Sequence, residues 1–382
     1  MKKRNLVIFF SIVLIIYSVA NVFLYFKGLI AFEGIAGRAA YDIIYIFMAL
    51  SFLAGKILER VSSSIVADIL NVTGGFWLAF ILYSTLFILV ADLARLLSGL
   101  AGADPGPGFR QISYLLSFSL SALLIAAGFL NTLSPVIRRY DISLDKKAHT
   151  SGIRIAAVSD VHLGSVVRRN SLRALSRRLK EISPDMILFL GDLIDGEIGP
   201  VIRDDLLDSL KIPEGVKYVF AIAGNHEYIG GHNKTIPYIE SKGIRVLKDE
   251  IISLEEGIEL AGRKDRDSER FTGSGRKSLG ELLGGAHAGS PIIILDHQPP
   301  YNSGGENADG DIVLSGHTHR GQMWPLNYLT GSLYKVSYGY KKIKNTHYIV
   351  SSGFGSWGPR VRLGSRSELL DIRISFNSVS SD

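Results

Sequence analysis

Hydrophobicity has two textures along this chain. Asn5 to Phe26 is an uncharged, mostly apolar run, and Ile69 to Ala91 and Gln111 to Ile137 carry the same signal. Each is long enough to cross the roughly 30 Å hydrocarbon core of a bilayer as a helix. Ala39 to Gly55 is shorter and has Asp42 near its start; it reads as a further span because a charge can sit at the interface. The pattern therefore predicts an all-α transmembrane region of about four helices over residues 1–140. A cleaved signal peptide followed by soluble helices fits less well. The first run is too long for an h-region, and no small-residue cleavage pattern follows it.

After residue 140 the pattern changes. Residues 141–150 are polar and charged and read as a linker. From 151 to 382, short apolar runs rich in Val and Ile alternate with polar stretches. Ile153–Val158, Met186–Leu190, Val219–Ile222, Pro291–Leu295, Asp311–Leu314 and His347–Ser351 read as strands. Ser171–Ile182 reads as a helix between the first two. Strand–helix–strand alternation argues for an α/β domain. Gly262 to Arg276, the most polar stretch of this half, reads as an exposed loop.

Charge then separates the halves further. Residues 1–150 hold 13 Lys and Arg against 8 Asp and Glu, while residues 151–382 hold 29 against 28. Of the net +6 of the chain, +5 thus belongs to the apolar part and +1 to the rest. The second half lacks the overall basic balance of a nucleic-acid binder, so nucleic acid is not an expected partner. The chain has no cysteine, which excludes disulfides and thiolate metal sites. Lys2, Lys3, Arg4, Lys56, Arg60, Arg138, Arg139, Lys146 and Lys147 fall at one set of span ends; Lys27, Arg38, Arg95 and Arg110 fall at the other. The richer side is expected to be cytoplasmic. A multi-pass cell membrane protein with both termini inside follows from four spans. With only three, the second half would lie outside.

The candidate chemistry sits at the ends of the predicted strands. SDVHLG brings Asp160 and His162, GDLID brings Asp192 and Asp195, and AGNHEY brings Asn225, His226 and Glu227. DHQPP brings His297, and SGHTHRG brings His317 and His319. In open α/β sheets, ligands sit at the carboxyl ends of strands. Five segments would therefore deliver these groups to one edge. Of the nine histidines in the chain, five fall in this set, which is hard to reconcile with ordinary surface residues. Residues i and i+2 of an extended segment share a face, so Asp160/His162 and His317/His319 are each expected to present two ligands together. Imidazole and carboxylate suit transition metals. Seven candidate ligands (Asp160, His162, Asp192, Asn225, His297, His317, His319) are too many for one tetrahedral ion and suit two ions about 3.5–4 Å apart, a known device for phosphate-ester hydrolysis. Glu227 reads as a structural carboxylate. His232, His287 and His347 read as ordinary, and Trp324, Trp357, Tyr338 and Tyr340 as packing, interfacial or pocket-mouth residues.

The ordered set DVH…GDLID…GNHE…H…GHTH resembles the calcineurin-like metallophosphoesterase family over residues 151–375. The tail WPLN…YGY…SSGFGSWGPRVRLGSRSE is similar to its membrane-linked bacterial branch. The resemblance implies a four-layer α+β sandwich, two mixed β-sheets flanked by helices. It implies two divalent ions (Mn²⁺, Fe²⁺ or Zn²⁺), one held by Asp160, His162 and His319, the other by Asn225, His297 and His317, with Asp192 bridging both. It places His226 beside the leaving oxygen and Asp195 as its orienting carboxylate. It also implies a metal-bridging hydroxide that attacks phosphorus. Arg320 stands where a glycine is frequent in the family. The expected function is a membrane-anchored phosphohydrolase acting on a phosphate ester, with a lipid-linked substrate suggested by the spans. The alternative is a catalytically silent membrane sensor or scaffold, whose mark would be a broken ligand set; this set is unbroken.

Overall fold

The structure, a computed structural model, describes residues 3–103, 105–106, 108–304 and 309–378. The chain divides into two compact units, residues 1–130 with 358–361, and residues 131–357 with 362–382.

The first unit is helical. α1 (Lys3–Ala31), α2 (Arg38–Val61), α3 (Ile65–Leu100) and α4 (Gly108–Leu133) are each long and apolar enough to cross a membrane. A helix pairs its own backbone groups, the condition for crossing a medium without water. Apolar side chains such as Ile15, Ile43 and Leu123 face outward, whereas Leu24, Trp77, Ile88, Tyr114 and Phe118 pack together inside. Several polar groups within this unit pair with one another: Trp77 Nε1 donates to Asn21 Oδ1 at 3.0 Å, and Lys27 Nζ lies 2.6 Å from Asp92 Oδ2.

α4 ends at Leu133, before the span expected to reach Ile137, because Pro135 cannot continue a helix. The next element begins at once. β1 (Val136–Ala148) occupies most of the segment expected to be a linker. Its polar appearance is the outward half of a strand pattern: Ile142, Leu144 and Ala148 are buried, while Asp141, Ser143 and Asp145 are exposed.

The second unit is built on two mixed sheets. The first contains β1, β2 (Gly152–Val158), β3 (Met186–Phe189), β4 (Tyr218–Ile222), β5 (Arg245–Leu247) and, from the far end of the chain, β12 (Glu368–Ser378). Its order is β1-β12-β2-β3-β4-β5, parallel except where β12 meets β2. The second sheet contains β6 (Glu250–Ser253), β7 (Glu259–Gly262), β8 (Ile292–Leu295), β9 (Ile312–Ser315), β10 (Gly339–Ile343) and β11 (Thr346–Val350), in the order β10-β11-β9-β8-β7-β6.

Strand periodicity lays out the layers. Successive side chains point to opposite faces. Ile155, Ala157, Met186 and Leu188 meet Ile293, Leu295, Ile312 and Leu314 in a core between the sheets. Ala156, Val158, Ile187 and Phe189 turn the other way and pack against Leu172, Leu175, Leu179 and Ile182 of α5 (Arg169–Ile182). On the outer face of the second sheet, Ile294 and Val313 pack with Leu279 and Leu282. The expected strands are all present to within one or two residues. Gly262–Arg276 departs from its expected exposure: Arg263 and Asp265 are buried. Their charges are satisfied locally, Arg263 by Asp296 at 3.0 Å and Asp265 by Gln298 Nε2 at 2.9 Å.

Candidate metal centre

The nine residues singled out at strand ends converge. Asp160 and His162 follow β2, Asp192 and Asp195 follow β3, Asn225 and His226 follow β4, His297 follows β8, and His317 and His319 follow β9. Three of the resulting groups have atoms close enough to hold a metal: Asp160, His162 and His319; His162, Asp195 and His226; and Asp192, His297 and His317.

Asp160 and His162 stand together as expected, His317 and His319 do not, and neither pair lies on extended backbone. Asp160, His162, His317 and His319 are not extended; their φ values are +53°, +51°, +67° and +48°. Asp192 is also left-handed, at +52°. This backbone costs L-residues on the order of 1–2 kcal/mol each, and such strain persists where the surroundings fix it. It also separates the two histidines of GHTH. His319 joins Asp160 and His162, while His317 joins Asp192 and His297. Arg320, at φ +52°, lies in the same region, where a glycine would be unstrained. Its guanidinium rests over Tyr338 at 4.5 Å.

Asp192 lies between the two sets of donors. Its Oδ2 is 3.1 Å from His297 Nε2 and 3.8 Å from His162 Nε2, and its Oδ1 accepts the His226 amide at 2.9 Å. The Nε2 atoms of His162 and His319 approach to 3.0 Å, with Asp160 Oδ1 3.4 Å from His319. His297 Nδ1 lies 2.7 Å from the Leu190 carbonyl, so it donates there. Its Nε2 faces Asp192 and Asn225 Oδ1, the latter 3.3 Å away; burial opposes its imidazolium, but without a cation the Asp192 charge outweighs this and raises its pKa well above 6.5, so a bound cation would displace that proton. His317 Nδ1 is 2.9 Å from the same oxygen. Carboxylate oxygens and imidazole nitrogens crowded within ligand distance of one another in a buried site are what a cation can bridge, so the donor set fits divalent metal. On the other side, Arg362 Nη2 donates to His319 Nδ1 at 3.1 Å. In that tautomer Nε2 holds a proton, which must leave or move to Nδ1 when a cation binds there.

His226 stands edge-on to His162, ring centroids 4.7 Å apart, and pairs with Asp195. Its Nδ1 is 3.0 Å from Asp195 Oδ1, and its ring meets Trp357 edge-on at 6.3 Å. His162 Nδ1 also approaches Asp195, at 3.3 Å, but makes no hydrogen bond. Glu227 is fully buried behind the centre. It accepts from the amides of Asp192 (3.0 Å), Ile194 (2.9 Å) and Gly224 (2.7 Å), tying two ligand-bearing loops together. The glycines before the ligands make the close packing possible. A Cβ at Gly316 would overlap Ser159 Oγ and Asp160 Oδ2, and one at Gly224 would overlap Asp192.

Without a cation the charges are unbalanced. Burial pushes the Asp160 carboxyl up, and neighbouring Asp192 adds to this. Burial also opposes ionisation of Asp192, but the His297 and His226 charges outweigh it and hold that carboxyl well below its usual range. Burial and the His297 charge press His317 down to about 3, leaving its ring neutral and able to ligate.

The comparisons agree with this geometry. The calcineurin-like phosphoesterase family pattern matches residues 153–321. A metallophosphoesterase of Aquifex aeolicus is 30% identical over 258 residues, covering 67% of this chain and 97% of that protein. The chain belongs to the calcineurin-like phosphoesterase family. It is a phosphate-ester hydrolase of a metal-dependent family. A transmembrane protein with metallophosphoesterase domain from Danio rerio is 28% identical over 318 residues, covering 78% of this chain and 71% of that one. With four membrane-length helices among the described residues, this family member is a membrane protein. The chain is also 27% identical over 302 residues to the UDP-2,3-diacylglucosamine pyrophosphatase LpxG of Chlamydia muridarum, covering 62% of this chain and 88% of that one.

Two contributors were not singled out in the sequence. Arg362 is fully buried beside His319 and also donates to the Gly355 carbonyl. Glu368, buried, accepts the Ser352 amide at 2.8 Å and the Tyr338 hydroxyl at 3.1 Å. Both lie in the tail GPRVRLGSRSE, where no local pattern separates a buried charge from a solvated one. Of the aromatics considered for the pocket mouth, Trp357 lies beside His226, while Tyr340 packs on Tyr140 and His347.

Proposed function

We propose that the chain is a membrane-tethered phosphohydrolase with two metal ions. Asp160, His162, Asp192 and His319 would hold one ion, and Asp192, Asn225, His297 and His317 the other. The observation that carries this reading is Asp192, whose carboxylate faces the donors of both groups. The nitrogen and oxygen donors suit Mn²⁺, Fe²⁺ or Zn²⁺. Bound ions of this kind supply a hydroxide nucleophile at neutral pH and neutralise phosphate charge.

The protein's own groups do the rest. Asn225 and the surrounding imidazoles orient the phosphoryl oxygens. His226, held by Asp195 at 3.0 Å, delivers a proton to the leaving oxygen, a contribution of typically about 10²–10⁴-fold. Asp195 fixes the ring so that Nε2 faces the substrate. The mouth beside Trp357 admits the ester.

For the substrate we infer a lipid-linked phosphate or pyrophosphate. The membrane helices and the name of the Chlamydia relative support this class. The Lys and Arg excess at one set of helix ends supports a cytoplasmic location for the hydrolytic unit.

The test uses the full chain in detergent, with metal content determined and Mn²⁺ supplied. Turnover of bis-p-nitrophenyl phosphate or p-nitrophenyl phosphate that needs metal and disappears in Asp192→Asn, together with bound metal, is the expected result. His226→Ala should retain its metal and lose at least about 100-fold in kcat. Bound metal without turnover of any ester would instead favour a sensor. Equal turnover of a lipid pyrophosphate and a soluble one in mixed micelles would remove the lipid assignment.

A further inference from the structure

Next to the metal donors lies a cavity that the hydrolytic step leaves unused. It measures about 560 Å³, within the roughly 300–1,000 Å³ range of ligand sites. Its floor is the outer face of the second sheet at Ile294, Val313 and Tyr348. Its walls bring Arg263, Arg266, Arg276 and Lys277 together against two carboxylates, Asp296 and Glu281.

Both carboxylates are engaged. Asp296 accepts from Arg263 at 3.0 Å and Arg276 at 2.9 Å. Glu281 accepts the Ser278 amide at 2.8 Å. Arg266 differs from the others. Among the described residues no carboxylate reaches it: Nη2 donates to the Gln298 carbonyl at 3.1 Å, and Nη1 is shielded from solvent without an acceptor. The guanidinium lies over the Tyr301 ring at 4.8 Å. The guanidinium thus lines the cavity without a carboxylate partner among the described residues, and its planar group is of the type that matches phosphate or carboxylate oxygens.

The cavity is one aromatic layer from the metal centre. Tyr301 stacks on Tyr334 at 4.9 Å, and Tyr334 meets the ring of His317 at 6.3 Å. Asp296 and Gln298 also flank His297 in the chain. We propose that this cavity binds a second phosphate-like anion, with Arg266 as its principal contact and Arg263, Arg276 and Lys277 supplying the field. The relation of this anion to a scissile phosphate rests on the function proposed above; the binding itself does not.

The test is built accordingly. Full-length protein in detergent is stripped of metal, dialysed free of chelator, and titrated with inorganic pyrophosphate by calorimetry. Saturable binding is expected, weakening as salt rises and falling at least tenfold in Arg266→Ala. Arg266→Lys, which keeps the charge and loses the fork, should fall between the two and covers the case in which the alanine variant does not fold. Asp192→Asn should bind as the wild type does. No saturable binding by the wild type, or equal binding by wild type and both Arg266 variants, would overturn the assignment. Neither result would touch the hydrolase reading, since no turnover is involved.

The metal-loaded enzyme then identifies the source of the anion. If it is a second phosphate of the substrate, Arg266→Lys raises KM for a bis-phosphorylated ester more than tenfold and leaves its kcat within threefold. If it is a separate ion, added sulfate changes the wild-type rate but not that of the variant.

Discussion

Glu227 carries the logic of the site at the scale of single residues. Its two oxygens take three amides from loops that bear the candidate ligands Asp192 and Asn225, so it braces both loops. Groups that orient ligands typically contribute about 10–100-fold to metal affinity. Glu227→Gln is expected to lose affinity in that range while remaining folded, as metal titration would measure. His226 offers a different check. Burial disfavours its imidazolium, yet the Asp192 charge and the Asp195 hydrogen bond lift its pKa from 6.5 to about 9. In metal-free protein, its ion pairing therefore stabilises the fold fully below about 6.5 and is lost as pH rises through about 9. Asp195→Asn should bring the value back towards 6.5, read by NMR titration of the histidine ring; no movement would remove Asp195 as its partner. At this scale the donors were legible because their types are rare and recur after each strand. Their left-handed backbone was not. No residue type in DVH or HTH announces a positive φ, and only the packing of Gly316 and Gly353 against Asp160 shows it being held. Arg362 was hidden for a related reason: its burial is decided by loops distant in sequence.

Strands pose the next question, since the first sheet is assembled from both ends of its unit. β12 sits between β1 and β2, and its Asp371 is fully buried. Arg154 grips Asp371 through Nε at 2.9 Å and Nη2 at 2.8 Å, and Arg139 reaches it at 3.3 Å. Burial alone would raise this carboxyl, but Arg154 holds it below the usual range. The stabilisation is thus present above the ordinary value of 3.8 and is lost as pH falls below it. Asp371→Asn should remove charged hydrogen bonds worth about 1.5–3 kcal/mol, seen as a lower thermal midpoint at pH 7 that converges with the wild type in acid. Six strands were readable because burial leaves runs rich in Val and Ile; β7 and β12, also interior, were not, since neither carries such a run. β1 escaped because it lies at the sheet edge. Its alternation of Tyr140, Ile142 and Leu144 with Asp141, Ser143 and Asp145 is a period-two signal that charge content obscured. Strand order was unreadable, because nothing local tells β12 to enter beside β2.

For the whole molecule, the division into an apolar helical part and an α/β part was legible from composition alone. Lipid demands runs of a length that soluble domains seldom use. Sidedness is a finer matter, set by a modest charge bias at the helix ends. A fluorescent or alkaline-phosphatase fusion at the C-terminus should report the cytoplasm; a phosphatase signal would reverse the assignment and place the hydrolytic unit outside.

β1 has a practical consequence. Leu133 ends the last helix and Val136 opens the strand, with only Ser134 and Pro135 between them in the chain. A protease that nicks within residues 136–148, or a truncation starting near 148, would not liberate an intact enzyme. It would leave β12 with an unpaired flank of backbone donors and acceptors, the kind of edge that recruits other chains. Fragments begun at Asn131 should stay dispersed in solution, and those begun after Ala148 should precipitate. The hydrolase would then be solubilised only by keeping the strand that follows its last membrane helix.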